Sequence, residues 1–369
     1  MKSGLATTLL IMLASTSALC AAETGVIHCE TSQELQKALK KAEPGDTIVL
    51  QGGTTYETEK GFKLRASGTE KDRITLTSED ATGQGRYAVI TTVDQRKEED
   101  LVAIELNGAY WHLSRLEISG KRLALDDGYW DTHGFRLGLF LNGPGSHHNL
   151  IEDLHIHDTH NAAVAVRDLS HHNTFRRMNI HHAGEWLHGD YNAHEGEGFY
   201  IGSSKGLDTA GNRARVHDIL IEDSTIGPGL LGQYVDIKYG ASNVTVRNNV
   251  LHCQEKSYNR EVVKLAGFAN LIEGNEFVGS SKNLVRYVHV FSNIKIEGNE
   301  PVRTDYRGQE NIPVPTGLDN VLLNNLFYSN DPDIELIRND LSEADRSSLR
   351  LENNVLKPLD TYHQRPGTR

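Results

Sequence analysis

Short apolar segments recur along the chain, and most of them start with asparagine. Five begin with Asn and place Ile, Val or Phe seven positions later: NLIEDLHI from Asn149, NTFRRMNI from Asn173, NVTVRNNV from Asn243, NLIEGNEF from Asn270 and NVLLNNLF from Asn320. A weaker copy begins at Asn293, and DILIEDSTI from Asp218 fills the largest gap. The usual interval is about 25 residues, which is typical of solenoid repeats. Short alternating strands at this period, without helical periodicity, predict an all-β chain whose strands stack on their own copies, a parallel β-helix.

The repeated asparagines are predicted to be structural. An Asn that recurs at one turn of a solenoid can form a ladder whose side-chain amides bond to neighbouring backbone. Asn243 also lies in an N-x-T glycosylation pattern, which we interpret as accidental because of its expected ladder position. The pairs His147–His148 and His171–His172 follow the same period. We therefore interpret them as stacked turn residues rather than as metal ligands.

The two ends of the chain differ from the repeats. Residues 1–22 have a basic start, an apolar run and small residues, the pattern of a secretory signal peptide. Residues 23–369 are expected to form one β-helix domain. Within it, residues 31–44 predict an amphipathic helix with an N-terminal capping box, which would cover the first coil. A shorter helical element is expected at 342–351.

Composition narrows the classes of function. The formal net charge of -12 argues against a nucleic-acid partner. Removal of Cys20 with the signal peptide leaves Cys29 and Cys253, too few for a disulfide-based scaffold. The chain is predicted to be a secreted or periplasmic monomer that does not insert in a membrane.

One strand of each repeat is predicted to carry a groove. These strands precede the asparagine-led segments, for example LGLFLN at 137–142, GFYIG at 198–202, YVDIK at 234–238 and EVVKL at 261–265. Alternation along the strands would turn one set of side chains outward. That set is Gly138, Phe140, Ala163, Ala165, Tyr200, Asp236, Lys238, Lys264, Tyr287 and His289. Small residues early in the row would leave room for an extended ligand, and the polar residues that follow would contact it.

An insertion at 181–198, HHAGEWLHGDYNAHEGEG, interrupts the repeat before Tyr200. Long loops on a rigid scaffold often carry function. Its acids Asp190, Glu195 and Glu197, together with Asp236, are candidate ligands for Ca²⁺, which prefers several oxygen ligands. Trp186 and His194 are candidate substrate contacts. A solvated loop without bound metal is the alternative.

Several stretches resemble a known family. AEPGDTIVLQGGTTY, SGTEKDRITLTSED and the asparagine-led coils resemble the secreted right-handed parallel β-helix polysaccharide lyases of the pectate-lyase-like superfamily. GEGFYIG at 196–202 and VDIK at 235–238 look like segments of its bacterial members. The resemblance implies a right-handed β-helix that acts on an acidic, uronic-acid-containing polysaccharide. The DPHD motif of mannuronan epimerases and the GHG motif of polygalacturonases are not present.

Cleavage of a uronan by β-elimination assigns roles to these residues. The carboxylate beside C5 must be neutralised, the C5 proton removed and the departing O4 protonated. Lys238 or Lys264 would act as the base, since mutual repulsion would favour one neutral amine. Tyr200 or His289 would protonate O4, and Tyr287 would contact the sugar. Arg260 and Arg286 would clamp the carboxylate, with Ca²⁺ as a possible cofactor.

Other functions stay open at this point. A C5 epimerase shares the proton abstraction, and a glycoside hydrolase would use two carboxylates from Glu195, Glu197 and Asp236. A non-catalytic carbohydrate-binding solenoid would have the same fold. In that case Asp236 and Lys238 would form an ordinary surface ion pair.

Overall fold

The structure is a computed structural model. It describes residues 25–92, 101–124, 130–184, 195–203, 215–253, 261–280, 286–291, 294–297, 300–303, 317–343 and 345–364. The signal peptide predicted for residues 1–22 lies outside these ranges. No helix in the described ranges is long and apolar enough to span a membrane.

Three stacks of parallel strands form the body of the chain, and each strand pairs with its counterparts in the coils before and after it. This pairing confirms the parallel β-helix. The first stack, called the groove sheet below, consists of β4 (Phe62–Leu64), β7 (Val102–Leu106), β11 (Leu137–Asn142), β13 (Val164–Arg167), β16 (Phe199–Ile201), β19 (Val235–Ile237), β22 (Glu261–Leu265), β25 (Arg286–Val290) and β30 (Glu335–Asn339).

The other two stacks share two long strands, β8 (Trp111–Ser119) and β12 (Leu150–Thr159). The second stack adds β1 (Val26–Cys29), β2 (Thr47–Leu50), β5 (Ile74–Ser78), β14 (His171–Arg176), β17 (His217–Glu222), β20 (Ser242–Arg247), β23 (Leu271–Glu273), β28 (Val321–Leu323) and β31 (Arg350–Glu352). The third adds β3 (Thr55–Thr58), β6 (Ala88–Thr92), β15 (Asn179–Ala183), β18 (Thr225–Ile226), β21 (Val250–His252), β24 (Glu276–Val278), β29 (Leu326–Tyr328) and β32 (Val355–Lys357).

Two antiparallel pairs lie outside these stacks. They are β9 (Lys121–Ala124) with β10 (Trp130–His133), and β26 (Ile294–Glu297) with β27 (Glu300–Arg303). Inside the three stacks the core is a column of apolar residues, one or more from each coil. On the groove sheet the inward column includes Phe199, Val235, Val263 and Val288, all fully buried.

The predicted N-terminal helix is α1 (Ser32–Lys41). Thr31 caps it: its side chain accepts a bond from the Glu34 backbone, and the Glu34 carboxylate accepts bonds from the backbone N–H groups of Glu30 and Thr31. Leu35 and Leu39 are buried in the core cluster of the solenoid. The expected helix at 342–351 is wrong in extent. Only a 3₁₀ turn forms there, Arg346–Ser348, and another follows at Leu359–Thr361.

Four of the predicted asparagines form a ladder and one does not. Asn149, Asn173, Asn270 and Asn320 are buried, and their side-chain oxygens accept backbone N–H bonds of 2.8–3.0 Å from the preceding coil. Asn243 is exposed at φ 53°, one residue before this column. The prediction for Asn243 was wrong because Val244 holds the ladder position in its coil. Asn293 lies outside the described residues.

A second asparagine ladder was not predicted. Asn249, Asn275, Asn325 and Asn354 form it, each accepting a backbone N–H bond of 3.0–3.2 Å from the preceding coil. The sequence signal is an asparagine at the third position of RNNV, EGNE, LNNL and ENNV. The turn histidines stack as expected, with ring centres of His147 and His171 4.9 Å apart and those of His171 and His217 5.0 Å apart.

Candidate active site

One row of outward side chains crosses the middle of the groove sheet. Strand pairing places six residues side by side on successive coils: Phe140, Ala165, Tyr200, Asp236, Lys264 and His289. This register confirms the predicted order of the row. The apolar members Phe140 and Ala165 pack with Tyr200. The row is therefore apolar on the N-terminal side of Tyr200 and charged on its C-terminal side.

Three residues of the predicted outward set face the core instead. Tyr287 is fully buried and donates hydrogen bonds to the carbonyls of Gly279 and Tyr328, at 2.9 and 3.3 Å. Ala163 is also buried in the core, and a side chain at Gly138 would meet Ile156. In these strands two consecutive residues lie in the core before the alternation begins, as Tyr287 and Val288 do. The prediction that Tyr287 contacts substrate was therefore wrong.

Lys238 follows β19 and folds back over the row. Its ammonium group contacts the fully buried Asp236 carboxylate. The same Nζ lies 4.6 Å from the centre of the Tyr200 ring in the preceding coil. Only 15% of the Lys238 side chain is exposed. The structure thus gathers three of the predicted residues, Tyr200, Asp236 and Lys238, into one contact group.

Arg167 was missed by sequence reasoning and completes this group. Its Cζ lies 5.3 Å from the centre of the Tyr200 ring, and its Nε is buried with no hydrogen-bond partner among the described residues. Arg167 comes two residues after Ala165, as Lys238 comes two residues after Asp236, which is the signal that could have identified it. Gly202 occupies the corresponding place between them, and a Cβ there would lie 3.3 Å from the Cβ of Lys238.

The surroundings set the charges of this group. Burial opposes the charge on Lys238, but Asp236, Tyr200 and Glu197 together outweigh it and raise the pKa of Lys238. Burial also raises the pKa of the Tyr200 hydroxyl, against the opposing effects of Lys238 and Arg167. Lys238 is therefore an ammonium in the free chain. The neutral amine expected at Lys238 or Lys264 is therefore not Lys238, whose ammonium contacts the Asp236 carboxylate.

Glu197 lies beneath the same group. It is 2% exposed, and its Oε2 has no hydrogen-bond partner among the described residues. Burial raises the pKa of Glu197 to about 7, with Lys238 opposing and Asp236 reinforcing the shift. Glu197 is thus close to half protonated at neutral pH.

The described acids do not form the predicted calcium site. Glu195 is exposed, Glu197 is buried, and the Asp236 carboxylate is bound by Lys238. In the described part of the chain, two groups of three residues bring ligand atoms within 4.8 Å of one another, and neither contains these acids. The remaining predicted ligand, Asp190, lies outside the described residues, as do Trp186, His194 and Arg260.

The C-terminal end of the row is occupied by ion pairs. Arg286 is 3.3 Å from Glu335 and 3.7 Å from Glu261, and His289 Nε2 is 2.6 Å from Asp340. The predicted carboxylate clamp at Arg286 is therefore already paired with protein acids. The Nζ of Lys264 lies 4.6 Å from the centre of the Phe291 ring.

A family model agrees with this architecture. The model described as "Pel9A-like, right handed beta helix region" matches residues 18–218. The chain belongs to the Pel9A-like right-handed β-helix family. This membership confirms the right-handed β-helix and the predicted resemblance to pectate-lyase-like proteins. No curated protein matches the sequence.

Proteins of known structure that share this fold catalyse different reactions. An alginate lyase from Paenibacillus sp. str. FPU-7 is 23% identical, with a TM-score of 0.64 over 90% of this chain and 99% of that chain. An endo-xylogalacturonan hydrolase from Aspergillus tubingensis is 14% identical, with a TM-score of 0.53 over 90% of this chain and 83% of that chain. At such identities the likeness shows the fold alone, so the reaction must be argued from the site.

Proposed function

We propose that the chain is an exported polysaccharide lyase that cleaves a uronic-acid polymer by β-elimination on the groove sheet. The observation that carries this proposal is the placement of Tyr200 between the cations Lys238 and Arg167, at 4.6 and 5.3 Å from its ring centre. A proton-transfer group flanked by two positive charges provides both kinds of group that this reaction needs. The alginate lyase with the same fold is consistent with this class of activity.

The two cations answer the first requirement of the reaction. Removal of the C5 proton places negative charge on the neighbouring carboxylate, and preorganised positive groups stabilise that charge. Arg167 offers a planar fork that suits a carboxylate, and Lys238 offers a compact charge. They also oppose the net charge of -12 locally, so that a polyanion can approach this part of the sheet.

Tyr200 answers the requirement for proton transfer. Burial raises the pKa of its hydroxyl, so the phenol is the resting form, and Lys238 and Arg167 oppose this shift and favour the phenolate. Once the phenol has lost its proton to solvent, the phenolate takes the proton from C5, the electron pair forms the C4=C5 double bond, and the C4–O4 bond breaks. The phenol then returns the proton to O4, and Tyr200 is again the phenolate. Lys238 stays protonated throughout, as its raised pKa requires.

The position of these groups selects the sugar. Tyr200 both removes the proton from C5 and returns it to O4, so the two transfers occur on one face of the sugar ring. That geometry requires the C5–H and C4–O4 bonds to lie on the same side, as in mannuronate and glucuronate. In guluronate and galacturonate the two bonds lie on opposite sides. We propose polymers of the first kind as substrates.

The test is an assay on polymannuronate, glucuronan, polyguluronate and polygalacturonate, followed by the ultraviolet absorbance of the new double bond. We expect absorbance with the first two polymers and at least a 100-fold slower rate after Tyr200→Phe. The matched control is Tyr328→Phe, since Tyr328 also lies beneath a lysine, Lys357 at 5.8 Å, but on another sheet. Circular dichroism verifies that both variants fold.

Other outcomes would overturn the proposal in different ways. Deuterium incorporation at C5 without chain cleavage would indicate an epimerase. New reducing ends without absorbance would indicate a hydrolase, and binding without either product would indicate a carbohydrate-binding module. Cleavage restricted to polyguluronate or polygalacturonate would retain the lyase but exclude single-face proton transfer by Tyr200.

A further inference from the structure

A cluster of histidines and acids lies on the outer face of β8, β12 and β15, on a different stack from the groove sheet. Strand pairing places His155 beside Glu117 of the preceding coil and His157 beside His181 of the following coil. His155 and His157 are two residues apart on β12 and face the same side. None of these residues takes part in the proposed lyase reaction.

Three ligand atoms converge in this cluster. His157 Nε2 lies 3.2 Å from Glu117 Oε1, and His155 Nδ1 lies 4.0 Å from Glu117 Oε2. One ligand atom from each of these three residues lies within 4.8 Å of the others. Nitrogen and oxygen ligands at about 2.1 Å from a tetrahedral zinc ion are about 3.4 Å apart. The observed separations bracket that value, so small side-chain rotations would bring the three atoms around one ion.

In both His155 and His157, the ring nitrogen that does not face Glu117 already has a hydrogen-bond partner. His157 Nδ1 lies 2.6 Å from Asp158 Oδ2, and His155 Nε2 lies 2.7 Å from His181 Nε2. Histidines that bind a metal through one nitrogen commonly use the other to bond to a partner that fixes the ring. Both rings therefore have the orientation that a metal ligand requires, with the inner nitrogens facing the Glu117 carboxylate.

The cluster is also accessible. Glu117 and His155 line a groove of about 620 Å³, together with Asp153 and Arg177. About a third of each of the Glu117 and His155 side chains is exposed, whereas His157 is 13% exposed. An ion can enter from this groove, and three protein ligands leave one tetrahedral position for water.

We propose that Glu117, His155 and His157 form a binding site for a divalent transition-metal ion, best matched by zinc. Two imidazoles and one carboxylate suit Zn²⁺ better than Ca²⁺ or Mg²⁺, which prefer oxygen ligands throughout. The bound ion would join two coils, because Glu117 belongs to β8 and both histidines belong to β12.

Titration calorimetry with Zn²⁺ on the untagged, metal-free chain tests this site. We expect a site whose affinity falls at least tenfold in both Glu117→Gln and His157→Gln. Cobalt bound at the same site should give visible absorption bands that both variants lose. The matched control is His172→Gln, in the second cluster of possible ligands, His172, His217 and Asp218, and it should leave this site unchanged.

Asp158→Asn keeps the test decisive if a ligand variant does not fold. It leaves the three ligands in place and replaces the carboxylate partner of His157 with a neutral amide, so we expect 10- to 100-fold weaker zinc binding in a folded chain. If the native chain does not bind zinc, the proposal is overturned, and the cluster is only a hydrogen-bonded network. Zinc binding that survives both ligand variants, or that disappears in His172→Gln, would overturn it as well.

Discussion

The Nζ of Lys238 lies 4.6 Å from the centre of the Tyr200 ring, although the two residues belong to different coils. The pair forms because β16 and β19 stack in register, with Tyr200 directly beside Asp236. Asp236 then binds the Lys238 ammonium and holds it over the ring.

The role of Lys238 is tested by replacing it with two different side chains. Because Lys238 acts as a positive charge, Lys238→Met should lower kcat/KM at least 100-fold, and Lys238→Arg should stay within about tenfold of the native rate. Lys357→Met, which removes a lysine above Tyr328, should have no effect. Equal inactivity of the Met and Arg variants would mean that the lysine itself removes the C5 proton.

Glu197 should make the chain less stable as the pH rises. Its folded-state pKa is raised from 4.5 to about 7, mainly by burial. The stabilisation from its neutral form is complete below pH 4.5 and is lost as the pH rises through 7. Urea unfolding should show a loss on the order of 2 kcal/mol between pH 5 and 8.

The variant Glu197→Gln isolates this effect. It should remove most of the loss in stability between pH 5 and 8, because the amide has no proton to release. Glu195→Gln, two residues away and exposed, should retain the native pH dependence. An unchanged pH dependence in Glu197→Gln would show that its carboxyl group titrates normally.

Glu152 should have the opposite pH dependence. Burial opposes its charge, but hydrogen bonds from Arg176, His112 and Arg177 outweigh burial and lower its pKa from 4.5 to about 2. Its stabilisation is present above pH 4.5 and is lost as the pH falls toward 2. Glu152→Gln should therefore cost about 1–3 kcal/mol at pH 7 and much less near pH 2.

Asp153→Asn is the matched control for Glu152. Asp153 also pairs with Arg177, but 36% of its side chain is exposed, so its loss should cost less than about 1 kcal/mol. Urea midpoints of both variants at pH 7 and pH 2.5 distinguish the two cases. A cost for Glu152→Gln that does not change with pH would contradict the assignment.

The second asparagine ladder should contribute measurably to stability. Asn275 accepts a bond from the Asn249 backbone and donates to the Val246 carbonyl at 2.8 Å. Asn275→Ala leaves these buried groups unpaired and should cost about 2 kcal/mol or more. Asn243→Ala, on the exposed turn, should change the unfolding free energy by less than about 0.5 kcal/mol. Equal costs would mean that the ladder is not a main stabilising feature.

The repeat made the fold predictable from sequence. A strand that pairs with its own copy must preserve its apolar alternation in every coil, so the period and the outward row from Tyr200 to His289 can be read directly. The pair of consecutive core residues in a groove strand, such as Tyr287 and Val288, cannot be read in this way. Strict alternation places one of them outward, which is why Tyr287 was assigned to the wrong face.

The candidate site was predictable in its members but less so in its charges. Tyr200, Asp236 and Lys238 all belong to the predicted outward set. Arg167 could be recognised as a member of the site only when its coil was aligned with that of Lys238. The ionisation of Lys238 depends on which side chain lies nearest. The sequence suggested Lys264, but in the structure the Lys238 ammonium contacts the Asp236 carboxylate.

Because Lys238 and Tyr200 belong to different coils, the catalytic rate also reports whether these two coils remain packed together. Neither β16 nor β19 holds the pair alone, and each coil is bound chiefly to its neighbours. A small separation of these two coils would stop turnover while most of the strands kept their hydrogen bonds. In a denaturant titration, activity should therefore disappear before the far-ultraviolet dichroism of the solenoid changes.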